Sequence, residues 1–169
     1  MARIADCRAE DVAVLDVVLP SASVTANHAQ RYARQLAGVG TYLIAWRDGH
    51  PVGACEVRWD GCAAPEVREV VGNCPEINGL FVWPESLRSQ GIGTAFIRTA
   101  EDRARERGVE RLGLGVTEDN VRAAALYRRL GYRPVTSYVD RYTLRDAEGV
   151  PRHMADPCAF MVTTLGRTA

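Results

Sequence analysis

Apolar positions recur along this chain with two periods, and the alternation between them sets out the elements. Arg3 to Asp6 reads as a short strand. From Ala9 to Val18 the residues Val12, Leu15 and Val18 share one helical face, and Pro20 follows the end of that run. A second helix is expected over Ala26–Leu36, closed by Gly38. Thr41–Trp46 and Val52–Trp59 have strand character and flank an Asp48-Gly49 turn signal, which predicts a hairpin. Asp60 to Pro75, with two Gly and two Pro, reads as a loop. Glu76–Val82 is again a strand, stopped by Pro84.

The second half is more regular. In Gly91–Arg107, Ile92, Ala95, Phe96, Thr99, Ala100 and Arg103 fall on one helical face, and Gly108 follows as a left-handed cap. Leu112, Leu114 and Val116 alternate with Gly113 and Gly115, a strand with one almost bare face. The two glycines serve either a close approach by a ligand or helix, or relief of crowding in the core. A helix capped by Asp119 or Asn120 runs through Leu130 to Gly131. Strands at Tyr138–Leu144 and Ala159–Leu165, joined by a long polar loop, complete the chain. The order predicts an α/β fold, a mixed sheet with flanking helices, as one domain over residues 1–169.

Composition narrows the partners. Lys+Arg and Asp+Glu both number 21, so the formal charge is zero and neither nucleic acid nor an anionic membrane is expected as a partner. The first ten residues carry four charges and no apolar core, and no stretch reaches the ~18 apolar residues of a spanning helix. A cytoplasmic location is the expectation. Five scattered cysteines without a C-x-x-C pair read as reduced structural thiols, and three distant histidines give no support for a metal site.

In a chain of zero net charge any anion site must be local, and one stretch qualifies. Arg88-Ser89-Gln90-Gly91-Ile92-Gly93-Thr94 lies between a strand and a helix. A helix N-terminus presents unpaired N–H groups and partial positive charge. Gly91 and Gly93 remove the Cβ atoms that would keep a phosphate away. The stretch lacks the Gly-Lys-Ser/Thr of a Walker loop, and Phe96 stands where a dinucleotide fingerprint needs its third glycine. A plain glycine-rich turn is the alternative.

Glu76-Ile77-Asn78-Gly79-Leu80-Phe81-Val82-Trp83-Pro84 followed by Arg88-x-x-Gly91-x-Gly93 resembles the acetyl-CoA-binding motif of the GNAT superfamily of N-acetyltransferases. Further on, Asn120-x-x-Ala123-x-x-Leu126-Tyr127-x-x-x-Gly131-Tyr132 resembles that family's second signature. The link from Pro84 to Arg88 is one residue longer than the family pattern. The resemblance implies a GNAT-type fold, a mostly antiparallel mixed sheet whose two central strands splay apart. It implies acetyl-CoA as acyl donor, with no metal, and an amine of a small molecule or peptide as acceptor; a homodimer is left open.

The same resemblance implies a donor site of Leu80, Phe81, Val82, Arg88, Ser89, Gln90, Gly91, Ile92, Gly93, Thr94, Asn120 and Tyr127. Phe81 and Val82 would offer main-chain groups to pantetheine. Tyr127 matches the usual general acid, a phenol still protonated at neutral pH; its other role is packing the helix on the sheet. Asn120 either contacts coenzyme A or caps its helix. Glu76 aligns with a position where some members carry the general base, or is a solvated strand-end carboxylate. The contrasting function is an idle acyl-CoA-binding module that senses or assembles.

Overall fold

The computed structural model describes residues 1–166; the last three of the expected domain span lie outside them. The elements are β1 (Arg3–Asp6), α1 (Asp11–Val18), α2 (His28–Leu36), β2 (Gly40–Arg47), β3 (His50–Arg58), α3 (Pro65–Val71), β4 (Glu76–Val82), α4 (Ile92–Glu106), β5 (Arg111–Thr117), α5 (Val121–Arg129), β6 (Arg133–Arg145) and β7 (Pro151–Thr164). Seven strands form one sheet in the order β1-β2-β3-β4-β5-β7-β6. Every neighbouring pair is antiparallel except β4 and β5, which run parallel. That is the mixed, mostly antiparallel sheet expected from the sequence.

Two expectations need correction. Asp60–Pro75 is not loop throughout: α3 occupies Pro65–Val71, with proline in its first turn and Val67 and Val71 buried. Proline suits that position because the N–H it lacks would have no helical partner there. Seven residues with two buried valines are too few to raise a periodic signal. The long polar loop after Leu144 is also shorter than expected, since β6 and β7 continue to Arg145 and from Pro151. These extensions are largely exposed and polar, so no hydrophobic alternation marks them.

The sheet separates two sets of apolar contacts. On one face α4 packs Ile92, Phe96, Ile97, Ala100 and Ala104 against Leu112, Leu114 and Val116 of β5 and Cys55 and Val57 of β3. On the other, Leu15 of α1 and Leu19 meet Tyr42, Ile44 and Ala54, while Val67 and Val71 of α3 meet Cys62, Cys74 and Phe160. Emptying one of these fully buried aromatic positions, as in Phe96→Ala, costs about 3–5 kcal/mol.

Gly113 and Gly115 face this second side. A Cβ at Gly113 would stand 2.5 Å from the Phe160 ring, and one at Gly115 would run into the Tyr138 hydroxyl. The bare face of β5 therefore exists to admit aromatic side chains from β7 and β6, the crowding alternative of the two.

Candidate active site

Strand β4 organises the site. It pairs with β5 at two positions only, Glu76 opposite Gly113 and Ile77 opposite Leu114, and beyond them the strands part. Its pairing with β3 slips by one residue: Ala54 opposes Phe81 and Glu56 opposes Asn78, so Gly79 and Leu80 together face Cys55. Gly79 takes a φ of 64°, as a glycine bulge requires. The bulge resets the alternation of the strand. Glu76 and Asn78 sit on the face of α2 and α3, while Leu80 and Val82 turn to the core under α4.

A cleft of about 680 Å³ opens where β4 and β5 part. Its walls are Leu80, Phe81 and Val82 of β4, Arg88, Ser89, Gly91, Gly93 and Thr94 at the start of α4, and Asn120, Arg122, Leu126, Tyr127 and Arg129 around α5. Ten of the expected donor-site positions thus line one space. The side chains of the other two go elsewhere: Gln90 accepts from Arg47 Nη1 at 2.9 Å and donates to the Ser86 carbonyl, and Ile92 is buried in the core. The main chain of Gln90 remains in the loop, and Ile92 opens α4.

Helix α4 begins at Gly91, which has a φ of 86° and supplies no side-chain cap. Its first N–H groups are left without intrahelical partners at the edge of the cleft. Gly93 is open as well: the nearest atom to an added Cβ is Leu126 Cδ2, at 4.0 Å. Arg88, Arg122 and Arg129 make the walls basic, and no carboxylate lines the cleft among the described residues. Arg88 is held by Glu85 at 3.1 Å, but both are well exposed and the pair is weak. The extra residue between Pro84 and Arg88 is taken up in a single 3₁₀ turn, Glu85–Leu87. Arg122 and Arg129 escaped the sequence reading. Their separation of seven residues puts them on one face of α5, a signal that was present.

Asn120 caps α5, its Oδ1 accepting from Ala123 N at 3.1 Å, and it also borders the cleft. Tyr127 is 9% exposed, and burial pushes its phenol above the usual tyrosine range. It stays protonated at neutral pH.

Glu76 stands apart from this cleft. It lines a second cavity, of about 240 Å³, with Arg58, Cys62, Glu66, Asn78, Tyr138 and Asp140. At 3% exposed it is no solvated strand end. Burial raises its pKa from the ordinary 4.5 to about 7; nearby Arg58 and a hydrogen bond from Asn78 Nδ2 to Oε1, at 3.5 Å, oppose that rise. Its Oε2 has no partner among the described residues. Next to it on the same face Glu56 is fully served, by Arg31 at 3.1 Å and Arg34 at 2.8 Å, and Arg31 also donates to Asn78 Oδ1 at 3.0 Å. That network ties α2 to the bulge, where the Arg31 guanidinium occupies the space a Cβ of Gly79 would need.

The histidines are placed away from both spaces. His28 is buried against Tyr42, with Nδ1 2.6 Å from the hydroxyl, and His153 lies on β7 beside Thr143. All five cysteines are buried and free, and burial pushes the Cys62 and Cys74 thiols up to about 12 and 11. No helix among the described residues is long and apolar enough to cross a membrane.

A splayed parallel pair, a glycine-opened helix N-terminus and a buried tyrosine are the arrangement that the two sequence motifs imply. Residues 12–132 match the model of the acetyltransferase (GNAT) family, and the chain belongs to that family. It is 40% identical over 93 residues to an uncharacterized N-acetyltransferase of Methanocaldococcus jannaschii, covering 54% of this chain and 38% of that protein. The curated relatives matched first by sequence are covered over only 30–54% of their own length.

Many solved structures share the fold, two acetyltransferases among them. The ribosomal-protein-S18-alanine N-acetyltransferase from Escherichia coli superposes with a TM-score of 0.69 at 19% identity, over 100% of this chain and 97% of that one. A GNAT family acetyltransferase from Elizabethkingia anophelis with acetyl-CoA bound gives 0.61 at 16% identity, over 97% and 98%.

Proposed function

We propose that this protein moves the acetyl group of acetyl-CoA directly to an amine. The observation that carries the reading is the uncapped start of α4. Gly91 and Gly93 open it onto a cleft walled by three arginines and reaching Tyr127. A pyrophosphate fits such a place, since backbone N–H groups, helix dipole and guanidinium charge all favour an anion. From there the pantetheine arm follows the parted edge of β4 and pairs with the main chain around Phe81 and Val82 as a neighbouring strand would. A strand N–H at the parting polarises the thioester carbonyl.

The chemistry needs no covalent enzyme intermediate. Glu76, directly or through a water, takes a proton from the acceptor ammonium. The neutral nitrogen attacks the thioester carbon, the C–S bond breaks, and Tyr127 protonates the departing sulfur. The second proton lost by nitrogen balances the one that Tyr127 gave. With a pKa of about 7 Glu76 is half ionised at neutral pH, basic enough to accept a proton and able to release it again. Glu76 and Tyr127 sit in different spaces, so the transfer joins them across the gap between β4 and β5. The acceptor is an amine of a small molecule or peptide, and a cytoplasmic setting belongs to the same reading.

The test is a thiol-release assay with acetyl-CoA against a panel of amines, beside calorimetry with acetyl-CoA, NADH and ATP. Acetyl-CoA should bind well above the two nucleotides and be consumed with at least one amine. Tight binding with no thiol release under any condition would instead mark an acyl-CoA sensor.

A further inference from the structure

Among the described residues two buried side-chain polar atoms have no hydrogen-bond partner, Glu76 Oε2 and Arg58 Nε. Folded proteins leave few such atoms, and each one asks for an account. These two have much in common. They belong to groups of opposite charge, on residues directly opposed in the β3–β4 register. Both residues line the same cavity of about 240 Å³.

Opposite charges at directly paired positions ordinarily attract one another into contact. Here they do not meet: the Arg58 Nε contact is with Asp60 Oδ1 at 3.8 Å, too long for a hydrogen bond. Glu56 on the same face shows the contrasting case, a carboxylate saturated by two arginines. One pair on this face is closed and its neighbour is held open.

We propose that a small zwitterion closes it: the acceptor is an amine with a carboxylate on a nearby carbon, as in an α-amino acid, its amine on Glu76 and its carboxylate on Arg58. This rests on the acetyl-transfer reading above. A guanidinium binds a carboxylate through two parallel N–H donors, a geometry an ammonium of the protein would not offer. At roughly 30 Å³ per water volume the cavity holds about eight waters' worth of ligand, room for a small amino acid and too little for a folded partner. Tyr138 and Asn78 supply further polar walls, and Glu66, Asp140 and Arg141 stand at its margin. In the reaction the amino nitrogen gains the acetyl carbon, the C–S bond breaks, one proton leaves through Glu76 and sulfur receives one. The carboxylate on Arg58 is unchanged and only orients the amine.

The experiment compares kcat/KM for glycine and alanine, their carboxamides, the corresponding amines lacking the carboxyl group, and 1,4-diaminobutane. It uses the native chain and Arg58→Gln and Arg58→Lys, with acetyl-CoA affinity measured for each. The amino acids should lead the panel. Removing the carboxylate should cost about 10–100-fold, mostly in KM, as expected for a lost charge-assisted hydrogen bond. In Arg58→Gln that preference should vanish while acetyl-CoA affinity holds, and Arg58→Lys should restore part of it.

Equal use of amides and amino acids, preference for the diamine, no turnover of any amino acid, or an Arg58→Gln enzyme that keeps the preference each overturns the assignment. Failure of the native chain to bind acetyl-CoA is a different result, and it removes the transferase reading itself.

Discussion

Gly93→Ala separates the needs of the fold from those of the ligand. Gly91 is unsuited to that purpose, because its φ of 86° makes any side chain strained whatever binds nearby. Gly93 has ordinary helical backbone, second in α4, and an added Cβ would lie 4.0 Å from Leu126 Cδ2, a normal contact distance. Nothing in the protein therefore requires glycine at this position.

In a helix glycine is the less stable residue, by up to about 1 kcal/mol against alanine and less near a terminus. The substitution should thus stabilise the ligand-free protein by about 0.5 kcal/mol, which for a chain of this size is an increase of about 1–2 °C in Tm. The same methyl group stands where the pyrophosphate is proposed to meet the first N–H groups of α4. Displacing the phosphate loses at least one charge-assisted hydrogen bond, about 1.5–3 kcal/mol, or roughly a 10–150-fold weaker Kd.

Scanning calorimetry without ligand and titration with acetyl-CoA measure the two effects on one sample. A rise in Tm with unchanged affinity would refute the phosphate assignment. A fall in Tm would refute the claim that the position is sterically free.

The other predictions concern the two groups proposed to handle protons. Tyr127→Phe keeps the packing and removes the proton, so kcat should fall by about 10²–10⁴-fold with little change in acetyl-CoA affinity, as read in steady-state kinetics and calorimetry. Glu76→Gln should remove the ionisation near pH 7 from the acidic limb of the pH–rate profile. It should also flatten the stability profile. The folded pKa of Glu76 lies above its ordinary value, so the native chain is unpenalised below pH 4.5 and loses stability as pH rises towards 7 and beyond. The loss is on the order of 3 kcal/mol at pH 8, and denaturant melts of the Gln variant should show it absent.

What could be read from the sequence depended on how local the signal was. The helix after Gly91 and the strand of Leu112, Leu114 and Val116 were legible because their apolar sides repeat over several residues. The cleft at the start of α4 was legible because its lining is concentrated in two continuous segments. Helix α3 was not, being only seven residues long and carrying two buried valines. Nor was the second cavity, which gathers Arg58, Cys62, Glu76 and Tyr138 from four separated stretches. The burial of Glu76 was equally hidden, since it depends on α3 and on the Tyr138 ring lying over Gly115. No pattern near Glu76 in sequence encodes either neighbour.

The slip of register at Gly79 also has a kinetic meaning. By resetting the alternation of β4, the bulge gives a single strand two faces of use, Leu80 and Val82 towards one cleft and Glu76 and Asn78 towards another cavity. On the proposed roles the two substrates reach the reacting centre from opposite sides of the sheet and meet only through the gap beside β5. Neither needs the other's doorway. Such an arrangement favours a ternary complex over a shuttle in which one product must leave before the next substrate enters. It also lets each side change independently, since side chains around the acceptor cavity can vary without disturbing the loop before α4.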